Sequence, residues 1–359
     1  MFYRETGQFY STYAADMAVF PIRQDRIGLG IILAVAAIAV PLFGSTFFIS
    51  SVMIPFLVFS LATIGLNILT GYTGLISLGT GAFMGVGAFA CFKLTSWFPS
   101  VNIVIWILAS GLFSAAIGMV FGLPSLRVKG FYLAVTTLAA QFFLQWCFIR
   151  FPWLLNDSSS GSFEIGRRTL FGVIITGPEA TVQARYLVLL AIVVFMTWIA
   201  SNIVHGRLGR SWMAVRDMDI AAELMGIRLL PTKLMAFAVS SYYAGVSGAC
   251  MMYLWYGGGE ANDVFNIDQS FNILFMVILG GLGSLIGSFF GAAFISSLPT
   301  ILKFGLPAIG VPISGAAAEH LTFMAIGGLI IFFLIVEPAG LARLWQITKE
   351  KLRLWPFPY

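Results

Sequence analysis

Apolar runs long enough to cross a lipid bilayer recur along the whole of this 359-residue chain, and that recurrence restricts its fold more than any single motif does. A helix needs about 20 apolar residues to span a hydrocarbon core of ~30 Å at about 1.5 Å per residue. Such runs fall at residues 29–48, 51–69, 78–96, 102–123, 131–150, 185–205, 233–256, 270–285, 286–304 and 320–337. The stretch 270–304 reads either as one long element or as a broken pair, because Gly280, Gly281, Gly283, Gly287 and Gly291 punctuate it. Strands of a membrane barrel would alternate polar and apolar positions over segments of about ten residues, a pattern the sequence lacks. Charged residues make up 10% of the chain and hydrophobic residues 59%; soluble domains carry about 25% charge. So few charges cannot cover a soluble body of this size, and a disordered chain would be poor in apolar residues. The sequence predicts an all-α, polytopic membrane protein of about ten transmembrane helices.

Charge placement gives an orientation. With ten spans and an inward N-terminus, fourteen of the 20 basic residues fall on the inner side, and the outer loops keep Lys93, Arg150, Arg167, Arg168, Arg185 and Lys303. The outer loop 257–269 carries only acidic charges, Glu260, Asp263 and Asp268. Both termini are therefore expected in the cytoplasm. The organisation expected is an interfacial tail over 1–28, a membrane domain over 29–337 and a cytoplasmic tail over 338–359. Within the membrane domain lie an outward loop, 151–184, and an inward loop, 206–232. The outward loop, with its run Asp157-Ser158-Ser159-Ser160-Gly161, reads as a docking surface or a plain connector. A net charge of +5 is then a topology signal, and no dense basic run offers itself to nucleic acid. The first apolar run is too long for a secretory signal and reads as an uncleaved helix. Cys91, Cys147 and Cys250 are scattered and odd in number, which argues against a disulfide framework or a metal site.

Missing features narrow the function. By these spans no charged residue lies at mid-membrane; Glu319 with His320, Glu337 and His205 all sit at helix ends. Proton-driven carriers need ionisable groups at membrane depth. No nucleophile–base set marks an intramembrane enzyme. The chain has no Gly-Lys pair, so the phosphate-cradling loop of a nucleotide-hydrolysing subunit is absent.

The inward loop, Gly206 to Ile227, has a local logic. Asp217 or Asp219 is placed to cap a short helix, which continues through Ala221-Ala222-Glu223-Leu224-Met225 and stops at Gly226. Ala221, Leu224 and Met225 share a face, and the mixed charges of Arg216, Asp217, Asp219 and Glu223 disfavour a lipid-surface helix. Such a helix packs on its own bundle or docks in the groove of a peripheral subunit. The run RSWMAVRDMDIAAELMGI resembles the cytoplasmic coupling loop of branched-chain amino acid ABC-importer permeases (the LivM-type family). The resemblance falls on Arg216, Asp217, Ala221, Ala222, Glu223 and Gly226.

Two glycine-rich stretches, 71–88 and 280–292, hold Gly71, Thr73, Gly74, Ser77, Gly79 and Gly81, and Gly280, Gly281, Gly283, Ser284 and Gly287. Small residues four apart, as at Gly81/Gly85 and Gly283/Gly287/Gly291, let helices approach closely in lipid; with Ser and Thr they also mark broken helices along a path. Residues Gly74 to Ala88 are similar to that family's GLxSLGxGAFxGxGA pattern, and Glu337-Pro338-Ala339-Gly340-Leu341 resembles its closing motif. The likeness runs from about Ile54 to Leu344.

The resemblance implies an ABC-importer permease fold in a bacterial inner membrane, acting as a transport subunit rather than an enzyme. It implies a second permease subunit, two cytoplasmic ATPase subunits that use the ATP, and a periplasmic substrate-binding protein. No cofactor bound by this chain itself is expected. The expected cargo is branched-chain or related amino acids; the alternative is a stand-alone secondary or passive carrier of a small polar solute.

Overall fold

The structure, a computed structural model, describes residue 12 and residues 23–126, 132–155, 162–170, 172–177, 179–260, 264–308, 315–336 and 339–354. The aromatic N-terminal tail, the Ser-rich run at 157–161, Asp263 and the Glu337-Pro338 pair lie outside these residues. In chain order the helices are α1 (Arg26–Phe43), α2 (Thr46–Tyr72), α3 (Thr80–Trp97), α4 (Ile103–Ser125) and α5 (Tyr132–Arg150). There follow α6 (Val182–His205), α7 (Arg207–Asp217), α8 (Asp219–Leu224) and α9 (Leu229–Tyr256). The chain closes with α10 (Ile267–Gly280), α11 (Leu285–Ala308), α12 (Gly315–Val336) and α13 (Gly340–Leu354). Among the described residues, strands are confined to two small antiparallel pairs. β1 (Ser162–Glu164) pairs with β4 (Gly258–Glu260), and β2 (Arg168–Leu170) with β3 (Val173–Thr176).

Seven of the described helices are long and apolar enough to cross a membrane, namely α1, α2, α4, α5, α6, α9 and residues 285–305 of α11. Shorter apolar helices run over Ile267–Gly280 and His320–Phe333. α3 has the length, but its glycines and Lys93 lower its apolarity. The all-α polytopic fold is thus as expected, with about ten helices at membrane depth. The stretch 270–304 resolves into a broken pair, α10 and α11, split at Gly281–Ser284.

One boundary and the placement of one lysine differ from expectation. The first break falls at Gly44–Ser45, where the Ser45 hydroxyl accepts from the Phe48 N–H at 3.2 Å and starts α2 early. Lys93 is not in an outer loop. α3 runs on to Trp97, and Lys93 lies inside it, 7% exposed, with Nζ 4.5 Å from the centre of the Trp153 ring. An aromatic face near a helix end lets an ammonium group stay close to the apolar belt.

At the centre stands α2, whose Val58, Leu61, Ala62, Ile64 and Leu66 are fully buried. It packs against α6, α9, α10 and α11. Lipid supplies no hydrophobic drive between helices, so close approach through small residues has to hold the bundle. α3 and α9 meet backbone to backbone, since a Cβ on Gly87 would lie 2.2 Å from the Gly245 carbonyl oxygen. α10 and α11 do the same: a Cβ on Gly291 would lie 1.8 Å from the Met276 oxygen, and one on Gly280 would lie 2.1 Å from that of Gly287. Gly283 stands outside this stripe, in the turn.

A matched pair of substitutions tests this packing. Gly291→Val is expected to cost about 3 kcal/mol, at the upper end of overpacking penalties. Gly327→Val, where an added Cβ meets nothing within 4 Å, is expected to be neutral. Thermal unfolding in detergent should separate the two, and equal melting temperatures would contradict the close α10–α11 contact.

Candidate functional site at a junction of helix breaks

The two glycine stretches, far apart in sequence, meet at one point. α2 ends in a wide π-type turn, Ile68–Tyr72, and Gly74 takes a left-handed φ of 74° that turns the chain out of helix. Left-handed backbone is open to glycine because it has no Cβ to clash. Gly281 (φ 115°) and Gly283 (φ 77°) make the turn between α10 and α11 in the same way. The two breaks touch: a Cβ on Gly71 would stand 2.2 Å from the Gly283 nitrogen.

Asn67 ties them together. Its Oδ1 accepts from the Gly283 N–H at 2.8 Å, and its Nδ2 donates to the Ser284 carbonyl and the Ser288 hydroxyl, each at 2.8 Å. One buried amide therefore satisfies the turn and the start of α11, where helical N–H and flanking polar groups need partners. Ser284 caps α11, its hydroxyl accepting from the Gly287 N–H at 3.1 Å. Gly340 closes the site from a fourth direction, since its Cβ would lie 2.7 Å from the Leu279 oxygen and 2.8 Å from the Gly281 Cα.

Arg216, at the end of α7, enters this junction. Its Nη1 donates to the Gly71 carbonyl at 2.9 Å, and its Nε donates to Asp217 Oδ1 at 2.9 Å. The Arg216 stem covers Gly74, with Cγ 3.1 Å from where a Cβ would be, and Nη1 lies 3.3 Å from the equivalent point on Gly283. A cation on the exposed carbonyls of a helix C-terminus is favoured by both hydrogen bonding and the helix dipole.

The segment carrying Arg216 is a helical hairpin, α7 followed by α8. Its anchor is Trp212, fully buried, whose indole N–H donates to the Thr232 carbonyl at 3.1 Å. Neither aspartate caps α8: Met218 occupies the N-cap in extended conformation, with no side-chain cap bond. Asp217 is instead held by Arg216, and Asp219 stands 3.8 Å from Lys233. Gly226, with φ 88°, ends α8 as its sequence indicates, and the Ile227 N–H returns to the Ala222 carbonyl at 3.0 Å. Ala222 is buried and Ala221 half-buried, while Glu223 is exposed. The outward ridge is strongly apolar: Ile220 is 70% exposed, Leu224 86% and Met225 71%.

The remaining residues gather at the start of α3. Thr73 is buried, its hydroxyl donating to the Ile68 carbonyl at 2.9 Å; Ser77 is buried, and its oxygen lies 3.4 Å from the Gly79 nitrogen. α3 begins beside the middle of α5. There Gln141 Oε1 accepts from the Ala82 N–H at 2.7 Å and from the Ser270 hydroxyl, which itself accepts from the Gly81 N–H at 2.8 Å. The structure thus places Gly71, Gly74, Gly281, Gly283, Ser284 and Arg216 together, with Ser77, Gly79 and Gly81 at a neighbouring break. Asn67, Gln141 and Trp212 were not foreseen; an amide in an apolar run was the signal for the first two. Among the described residues no cluster of His, Cys, Asp or Glu has the make-up of a metal site.

The family profile of branched-chain amino acid transport system permease components matches residues 48–335. The chain is 27% identical over 322 residues to the high-affinity branched-chain amino acid transport system permease protein LivM of Salmonella typhimurium, covering 83% of this chain and 70% of that protein. LivM of Escherichia coli gives the same figures. The probable LivM of Methanocaldococcus jannaschii is 24% identical over 330 residues, 82% of this chain and 92% of that one. No solved structure matches the chain.

Replacing Asn67 by Leu leaves the Gly283 N–H and the Ser288 hydroxyl without this partner in a buried site. The expected loss is about 2 kcal/mol, as for a stranded buried polar group. It should appear as a lower midpoint in tryptophan-monitored unfolding; an unchanged midpoint would contradict the bridging role.

Proposed function

Because the chain belongs to the family of permease components of branched-chain amino acid transport systems, we propose that it is the membrane-spanning subunit of an ATP-driven, binding-protein-dependent importer of branched-chain or related amino acids. The hairpin α7–α8 is its coupling element, set on the cytoplasmic side with both termini. The observation that carries this reading is the Arg216–Gly71 hydrogen bond, which fastens the hairpin to the two helix breaks at once.

The mechanism follows from that fastening. The ridge of Ile220, Leu224 and Met225 is an apolar surface outside the bundle, of the kind that inserts into a groove on a partner. That partner is an ATPase subunit, one on this permease and another on a second, similar permease chain. Closure of the ATPases displaces the ridge. Trp212 holds the hairpin rigidly to the start of α9, and Arg216 passes the displacement to α2 and to the α10–α11 turn. Glycine breaks are where helices bend at low cost, so the two permease halves rock between outward and inward access. A periplasmic binding protein supplies the substrate, so the permease needs only weak affinity of its own.

Two substitutions separate docking from transmission. Leu224→Asp puts a charge on the ridge and should lower co-purification of ATPase chains at least about tenfold, equivalent to ~1.4 kcal/mol. Arg216→Ala should keep the ATPase chains bound and ATP hydrolysis running, while ATP-driven leucine uptake falls by about tenfold or more. Arg216→Lys should recover only part of it, since Lys lacks the guanidinium fork that holds Gly71 and Asp217 together. Full gradient-driven uptake by the purified chain alone would overturn the proposal in favour of a stand-alone carrier.

A further inference from the structure

A cleft of 330 Å³ opens between the first turns of α2, the end of α9, and α10, α11 and α12. It lies at the far end of α2 from Arg216: Ser51 and Gly71 are separated by about 30 Å of helix at ~1.5 Å per residue. Its walls are mainly apolar, with Phe59 and Trp255 packed edge to face at 5.7 Å. Among the described residues, no charged one lines it.

The polar groups at this cleft are of an unusual kind. Hydroxyls in the neighbouring helical segments fold back on their own backbone: Ser60 donates to the Phe56 carbonyl at 2.6 Å, and Ser297 to that of Phe294 at 3.1 Å. Ser296, in the lining, does not; its Oγ is buried and without a hydrogen-bond partner among the described residues. Two prolines, Pro55 and Pro299, line the same cleft. A proline has no N–H to give the carbonyl four residues before it in a regular α-helix, here Ile295 in α11, which also lines the cleft. Asn272 lines the cleft from α10. A stranded hydroxyl and an under-supplied carbonyl at membrane depth cost free energy unless something binds them.

We propose that this cleft is a transient binding site for a small aliphatic α-amino acid, a station on the route through the permease. The Ile295 carbonyl, which gets no N–H from Pro299, accepts from its ammonium group. The Ser296 hydroxyl and the Asn272 amide donate to its carboxylate, and Phe59 and Trp255 cover its hydrocarbon side chain. Recognition by neutral dipoles, without an ion pair, suits a ligand that must leave as readily as it enters. The size fits as well, since 330 Å³ lies at the small end of ligand pockets, about 300–1,000 Å³.

The inference rests on the transport reading above and is tested by uptake of radiolabelled L-leucine through the complete transporter. Ser296→Phe, which fills the cleft, should lower uptake at least about tenfold at unchanged membrane yield and melting temperature. Ser296→Ala and Asn272→Leu remove one hydrogen-bonding group each without adding bulk, and each should lower uptake about five- to tenfold, as loss of a bond to a charged group does. Wild-type uptake in all three variants would overturn the site and leave the transport reading standing. Absence of leucine uptake by the wild-type transporter would overturn both.

Discussion

A single guanidinium on the carbonyl end of a broken helix is the contact on which the rest of this molecule turns. Arg216 reaches from α7 to the Gly71 carbonyl and lies over Gly74 and Gly283, so one side chain joins a peripheral hairpin to two discontinuities of the membrane core. The contact is favourable because α2 ends where its last carbonyls have no helical partner. It is possible because glycine leaves room for the arginine stem to lie against the backbone. A Cβ at Gly74 or Gly283 would crowd that space. The sequence features that resemble the permease family are thus parts of one assembly: the coupling run, both glycine stretches and the Gly340 turn converge on it.

The surrounding bundle explains why the junction can carry load. Helices in lipid hold one another by contact and by hydrogen bonds. Here α3 rests on α9 through Gly87 and Gly245, α10 rests on α11 through Gly280, Gly287 and Gly291, and Asn67 bridges α2 to α11. Such interfaces have little slack, so a shift at one end of α2 is carried along it as a body. The cleft at the other end, with Ser51 and Pro55, belongs to that same helix.

Much of this was legible beforehand, and the exceptions have physical causes. Hydropathy located the spans, and the glycines at 280–291 announced that a helix there breaks. Lys93 was counted with the outer-loop charges although the apolar run 78–96 contains it, and the Trp153 ring lets its ammonium group remain within α3. The aspartates were expected to cap α8. Each found a basic side chain instead, Arg216 for Asp217 and Lys233 for Asp219, and an ion pair competes for the same oxygens as a cap. Gly226 was read correctly because a left-handed helix end is a local requirement. The target of Arg216 was beyond reach, since its bond to Gly71 spans 145 residues and only the folded chain brings the two together.

Joint motion of the hairpin and the glycine junction is the central claim, and spin-label distances measure it directly. With Cys91, Cys147 and Cys250 replaced, labels at Leu224→Cys and Leu282→Cys would report the hairpin against the α10–α11 turn, and Leu224→Cys with Phe98→Cys would report it against the distant end of α3. Between the nucleotide-free and ATP-trapped transporter, joint motion keeps the 224–282 distance fixed and changes the 224–98 distance. A 224–282 distance that changes while the α10–α11 turn stays in place relative to Phe98 would contradict it.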